Sequence, residues 1–176
     1  QPSETVENIG GLFAARGEMF DVIESEQQLI VSYKTNSEPR TVTLTRYHIP
    51  HHNVATAIQS LALIDLLPSP EMVSEVVAGL RVPGRWQSWK NGSATVVLDV
   101  AHNPQAAAYL RHHIEELDCL VLGMLSDKDV SGVLEALPPF KRFCVVTLTG
   151  WRGLTCDELA AKSSAAGFTV DQRFET

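Results

Sequence analysis

The chain has 176 residues, a mass of 19.3 kDa, 44% apolar residues, 20% charged residues and a net charge of −7. This length, with mean hydropathy near zero, suits one folded domain or one domain with part of another; it excludes a disordered tail, and no apolar run approaches the ~18 residues of a membrane helix. The acidity is even, −3 over residues 1–98 and −4 over residues 99–176, with no basic patch, which argues against nucleic acid as a partner.

The first part of the chain reads as β-structure. Glu18–Glu24, Gln28–Tyr33 and Thr41–Arg46 are short runs rich in β-branched and aromatic residues. Polar turns such as Thr35-Asn36-Ser37-Glu38-Pro39 separate them, so an antiparallel meander is expected over residues 17–46. A helix follows from about Asn53 to Leu67, with Val54, Ala57, Ile58, Leu61 and Ile64 recurring at spacings of three and four. Pro68 and Pro70 stop it, a second helix runs from Glu71 to Leu80, and Val82-Pro83-Gly84 reads as a hinge or turn.

After Gly84 the pattern changes. Strand-like runs at Ala94–Val100, Cys119–Gly123, Phe143–Thr149 and Phe168–Asp171 alternate with helical runs at Pro104–Leu117, Val130–Leu137 and Cys156–Ala166. The strands are continuous apolar runs, as in a parallel sheet buried on both faces. The expected fold is therefore α/β: a mainly parallel, Rossmann-like domain preceded by a β-meander and two helices, with the boundary dividing residues 1–82 from 83–176. The chain opens at Gln1 in a polar stretch and stops at Thr176 just after a strand-like run, so it reads as part of a longer protein.

Ligands of open parallel sheets bind beyond the carboxyl ends of the strands. Three such ends are legible: Asp99-Val100-Ala101-His102-Asn103-Pro104, Gly123-Met124-Leu125-Ser126-Asp127-Lys128-Asp129 and Thr149-Gly150-Trp151-Arg152-Gly153. Asn103 suits a helix cap and Pro104 the first helical turn. Asp99 and His102 flank that helix start, where anions are favoured; equally, Asp99 and Asn103 could serve only as caps with His102 on the surface. No GxxxxGK[ST] loop, GxGxxG fingerprint or GxSxG elbow occurs. Cys119, Cys144 and Cys156, odd in number and without CxxC spacing, read as buried reduced thiols of a cytosolic protein. His48, His51 and His52 make a poor zinc site because no Cys or carboxylate lies beside them, and His112 and His113, adjacent on a helix, should point apart. Trp86 and Trp89 read as packing residues.

Val-Pro-Gly-Arg-Trp-Gln (82–87), Leu-Asp-Val-Ala-His-Asn-Pro (98–104) and Gly-Met-Leu-Ser-Asp-Lys-Asp (123–129), in this order and spacing, resemble successive signatures of the folylpolyglutamate synthase / dihydrofolate synthase family. Asn-Val-Ala-Thr-Ala (53–57) and Trp-Arg-Gly-Leu-Thr (151–155) also fit, so the resemblance covers nearly the whole chain. These enzymes are ATP-dependent amide ligases related to the Mur ligases. ATP phosphorylates a folate or pteroate carboxylate, and the amino group of glutamate attacks the acyl phosphate.

The resemblance implies that residues 1–82 end the central ATPase domain and that residues 83–176 form the C-terminal ligase domain. It implies ATP contacts at Asn53, Arg85 and Asp99, and a glutamate or phosphate contact at His102; Asp127 and Lys128 match the pattern without an assigned role. It further implies Mg²⁺ as cofactor, held by residues outside this chain together with the phosphate loop, so that these 176 residues alone would be inactive. The substrates would be ATP, L-glutamate and dihydropteroate or a reduced folate, in a cytoplasmic, monomeric enzyme with no nucleic-acid or membrane partner. Another Mur-type ligase, or a nucleotide-binding module without catalysis, are the rival readings.

Overall fold

Three short strands open the structure, a computed structural model that describes residues 6, 11–25, 28–45 and 49–175. β1 (Phe20–Glu24), β2 (Leu29–Lys34) and β3 (Pro39–Leu44) form an antiparallel meander in the order β1-β2-β3, with Val22 opposite Val31 and Val31 opposite Val42. Alternation puts Leu29, Val31 and Tyr33 on one face with Val42 and Leu44, all buried. Pro39, which has no N–H for a ladder, begins an edge strand, where that loss is harmless. Arg46, the expected end of the third strand, lies outside the described residues.

Two helices cover that face. α1 (His51–Leu63) turns Val54, Ile58 and Ala62 inward at spacings of four, together with Ala55 and Gln59. α2 (Pro70–Gly79) does the same with Val73 and Val77, and it starts at Ser69, whose hydroxyl accepts the Met72 N–H, with Pro70 in the first turn. Buried Gln59 accepts the Lys34 N–H and donates to the Lys34 carbonyl, both at 2.9 Å, so the helix clamps the end of β2. α1 begins earlier and ends sooner than its periodicity suggests, because Asp65, at φ 55, turns the chain out of the helix.

The segment after Gly84 departs from expectation. Ala94–Val100 was to be a strand of the parallel sheet; instead β5 (Ala94–Leu98) pairs antiparallel with β4 (Gln87–Asn91) as a separate two-stranded ribbon. The connection Gly92-Ser93, with Gly92 at φ 60 in the first central position, suits a tight hairpin turn. The apolar run Val96-Val97-Leu98 resembled a buried strand, yet Val97 and Leu98 are 36% and 48% exposed. Trp89 is exposed on the facing strand rather than packed.

From Pro104 onward the βα alternation is realised. α3 (Pro104–His113), β6 (Leu120–Leu122), α4 (Val130–Ala136), β7 (Phe143–Val146), α5 (Cys156–Ala165) and β8 (Gln172–Phe174) follow in order. The sheet runs β6-β7-β8, parallel throughout, with Leu122 opposite Val145 and Val145 opposite Arg173. Its core gathers Leu120, Leu122, Val133, Phe143, Val145 and Leu159. Two expectations are corrected. Val121 is 60% exposed, so β6 is covered on one face only. The last strand is residues 172–174, not 168–171; Phe168 and Val170 pack against the core just before it.

The chain divides into two compact units, Gln1–Asp99 and Val100–Thr176. Among the described residues no helix is long and apolar enough to cross a membrane.

Candidate functional site

Arg85 is carried on a tight turn. Its N–H donates to the Val82 carbonyl at 3.0 Å, closing a four-residue turn with Pro83 second and Gly84 third. Pro83 presets a negative φ, and Gly84, buried at φ 70, takes the positive φ that a type II turn demands of its third residue. Trp86 follows at φ 45, a left-handed conformation costly for a bulky residue. Its N–H donates to Asp99 Oδ2 at 2.8 Å, which ties the turn to the end of β5. The other carboxylate oxygen, Asp99 Oδ1, lies 3.8 Å from Arg85 Nη1. At that separation the pair is an ion contact rather than a hydrogen bond, so the carboxylate orients the guanidinium without occupying its donors. The Asp99 side chain is 14% exposed and that of Arg85 34%.

The structure therefore brings Arg85 and Asp99 together. Asn53 stands on a different element, exposed in the first turn of α1, with its N–H donating to the Pro50 carbonyl at 2.9 Å. His102 belongs to the second unit and is exposed. Its Nδ1 lies 3.0 Å from the Val100 carbonyl. A carbonyl only accepts, so Nδ1 carries the proton and Nε2 presents its lone pair in the neutral ring. Asn103 caps α3 as expected, its Oδ1 accepting the Ala106 N–H at 2.8 Å, with Pro104 in the first turn.

The carboxyl ends of β6 and β7 meet in a second cluster. Leu125 bridges Gly153; the Ser126 N–H donates to the Arg152 carbonyl and the Leu154 N–H to the Met124 carbonyl. Asp127 takes an ion pair from Lys128 at 3.0 Å and a looser one from Arg152 at 3.9 Å. The hydrogen bond from Lys128 holds the Asp127 carboxyl below the ordinary carboxylate range, and the charges of Lys128 and Arg152 add to it. The turn Gly150–Gly153, with Gly150 at φ 119, leaves Trp151 92% exposed with the Arg152 guanidinium over its ring. Sequence reading named Asp127 and Lys128 but not Arg152 as their partner. The paired glycines at 150 and 153 were the available signal, because a Cβ at Gly153 would fall on the Leu148 carbonyl.

The histidine and cysteine readings need correction. A carboxylate does reach the first histidine cluster: Glu24, from β1, places Oε2 2.9 Å from His51 Nδ1. His48 lies outside the described residues, and among those described no group of three or more His, Cys, Asp or Glu is placed to hold a metal ion. The rings of His112 and His113 do not point apart but meet edge to face at 5.4 Å, as His113 folds back onto the Tyr109 carbonyl. Cys144 and Cys156 are buried, whereas Cys119 is exposed.

Residues 84–175 match the family model described as Mur ligase, glutamate ligase domain. The chain is 31% identical over 150 residues to a dihydrofolate synthase/folylpolyglutamate synthase of Haemophilus influenzae, covering 72% of this chain and 34% of that protein. It is 36% identical over 118 residues to the protein of the same name from Escherichia coli, covering 63% and 28%. Among solved structures it resembles a bifunctional folylpolyglutamate synthase/dihydrofolate synthase from Yersinia pestis complexed with AMPPNP and Mn ion, with a TM-score of 0.73, 25% identity and coverage of 98% of this chain and 46% of that one. A Mycobacterium tuberculosis folylpolyglutamate synthase complexed with ADP and AMPPCP gives the same TM-score and identity, with 98% and 41% covered. The chain thus spans about a third of the curated relatives' length.

Proposed function

Because the chain belongs to the Mur ligase glutamate ligase domain family, we propose that it is part of an ATP-dependent ligase that joins L-glutamate to dihydropteroate or tetrahydrofolate. The observation that carries this reading is the Arg85–Asp99 pair on the Val82–Trp86 turn, within the matched region. A permanently charged guanidinium, oriented by a carboxylate that leaves its donors available, suits phosphate oxygens. The reaction it would serve forms an acyl phosphate from the folate or pteroate carboxylate and ATP. The glutamate amine then attacks the acyl carbon and phosphate leaves.

In this reading Asn53, Arg85 and Asp99 contact ATP, residues 1–82 are the end of the ATPase domain, and residues 83–176 are the ligase domain. His102, whose Nδ1 lies 3.0 Å from the Val100 carbonyl, contacts glutamate or phosphate. The nucleotide and divalent cation in the relatives' crystals support the use of ATP and a metal. As the family resemblance implies, the reading assigns the Mg²⁺ ligands outside these 176 residues, and no step here runs through the ion. A monomeric, cytoplasmic enzyme completes the proposal.

The test is glutamate ligation by a full-length protein that contains this sequence, with ATP, Mg²⁺ and either dihydropteroate or tetrahydrofolate. Arg85→Ala is expected to lower turnover about 10- to 1000-fold, the range for removing a group that meets developing charge. Unchanged kinetics would remove Arg85 from the site, and no ligation by the unmodified protein would remove the function. The 176-residue chain alone is expected to show no turnover, since it has no GxxxxGK[ST] loop to cradle the phosphates.

A further inference from the structure

The cysteines are silent in sequence, yet two of them meet in space. Cys119 lies in the loop entering β6 and Cys144 lies within β7. β6 and β7 are parallel neighbours, with Leu120 opposite Phe143 and Val121 opposite Cys144. Cys119 stands two residues before Val121, so it shares the sheet face of Cys144 and sits diagonally from it. The two sulfurs are 3.8 Å apart. Cys119 is exposed to solvent, whereas Cys144 is buried with 6% of its surface accessible.

We propose that Cys119 and Cys144 form an oxidative modification site that a peroxide converts to an intrachain disulfide. An exposed thiol beside a buried one is the arrangement of an attacking and a resolving cysteine. Cys119 gives up its proton and attacks one peroxide oxygen; the O–O bond breaks, the departing hydroxide takes up that proton and leaves as water, and Cys119 becomes a sulfenic acid. Cys144 then attacks the Cys119 sulfur, losing its proton; the S–O bond breaks and a second water leaves. Two thiols are oxidised by two electrons in all, and one hydrogen peroxide is reduced to two waters. Burial first, and then the hydrogen bond with Cys119, raise the Cys144 pKa. The order Cys119 then Cys144 follows from exposure, since peroxide reaches the solvent-facing sulfur and not the buried one.

The geometry permits closure. The sulfurs must approach from 3.8 Å to about 2.05 Å. Cys119 lies between the Leu117–Phe140 bridge and the Leu120 N–H, which donates to the Arg142 carbonyl at 2.9 Å, so the approach comes from side-chain rotation with only small shifts of backbone. A bond between adjacent strands near solvent belongs to the strained, reducible class, so reversal by a dithiol is expected. Cys156 takes no part: it is buried and donates to Glu175 Oε1 at 3.1 Å. The inference is independent of the proposed ligase function.

The experiment exposes the folded chain to hydrogen peroxide, alkylates it under denaturing conditions and maps the peptides. The expected product is a Cys119–Cys144 linked pair, lighter by about 2 Da than the dithiol and restored by dithiothreitol, with Cys156 alkylated throughout. It should form at least on the order of tenfold faster in the folded than in the urea-unfolded chain, because the fold holds the sulfurs together. Cys144→Ala, with Cys144→Ser as a second variant, should stall at a Cys119 sulfenic acid that dimedone traps. Three alkylatable thiols after peroxide, a bond that includes Cys156, equal rates when folded and unfolded, or only Cys119-linked dimers of two chains would each overturn the proposal.

Discussion

Asp99 holds two neighbours at once, the Trp86 N–H through one oxygen and the Arg85 guanidinium across 3.8 Å through the other. The first contact secures a residue in a left-handed conformation, so the carboxylate stabilises the turn as well as orienting the cation. Asp99→Ala leaves the half-buried Trp86 N–H without this acceptor and is expected to cost about 1–3 kcal/mol in urea unfolding. Asp99→Asn keeps an acceptor oxygen and should cost less; equal losses would mean that charge, not the hydrogen bond, fixes the turn. Gln59 works the same way in the meander. Gln59→Leu keeps the volume but strips both partners from the Lys34 backbone, and the expected loss is again about 1–3 kcal/mol. A loss below about 0.5 kcal/mol would show that the clamp contributes nothing beyond packing.

At the scale of elements, α5 depends on its first turn. The Thr155 hydroxyl accepts the Glu158 N–H, while the Glu158 carboxylate accepts the Thr155 N–H at 2.9 Å, a reciprocal capping box. Thr155→Ala is expected to cost about 1 kcal/mol. The backbone hydrogen bond from Thr155 lowers the Glu158 pKa. Because its folded pKa is depressed, the stabilisation is present above the ordinary value of 4.5 and is lost as pH falls through the folded value. A pH series of unfolding free energies should show Glu158→Gln less acid-sensitive than the unmodified chain as pH falls from 4.5 through the folded value; parallel curves there would argue against the box. The β7 loop depends on Gly153 for a different reason. A Cβ there would occupy the position of the Leu148 carbonyl, so Gly153→Ala must displace backbone. The expected cost is about 1–3 kcal/mol, with the larger disturbance in the Ser126–Arg152 and Leu154–Met124 pairing, read by amide exchange.

At the scale of the molecule, the described residues form two apolar cores, each contained in one unit. Leu29, Val31, Leu44, Val54 and Ile58 belong to the first, and Leu122, Val133, Phe143, Val145 and Leu159 to the second. Cavities in the two should therefore act separately. Leu29→Ala and Leu159→Ala, both fully buried sites, are each expected to lose about 2–5 kcal/mol. The loss should appear as reduced amide protection in the unit that carries the substitution. Protection that falls equally across residues 11–99 and 100–175 would show one cooperative body instead.

The α/β alternation from Pro104 onward, the antiparallel meander before it and the Asn103-Pro104 helix start were legible in sequence, because each is written in local periodicity and capping chemistry. Arg85 and Asp99 were named as candidates through the family resemblance, and the structure brings their side chains together. What only the tertiary structure decided was partnership. Val96-Val97-Leu98 carries the apolar signal of a sheet strand whichever neighbour it finds; the tight Gly92-Ser93 turn and the chain path gave it Gln87–Asn91. The Arg85–Asp99 contact, the Asp127–Arg152 pair, the arrival of Glu24 at His51 and the approach of Cys119 to Cys144 all join residues distant in sequence. Periodicity records which face of an element is buried, whereas the identity of the group across the gap depends on how strands and loops are brought together by the folded backbone.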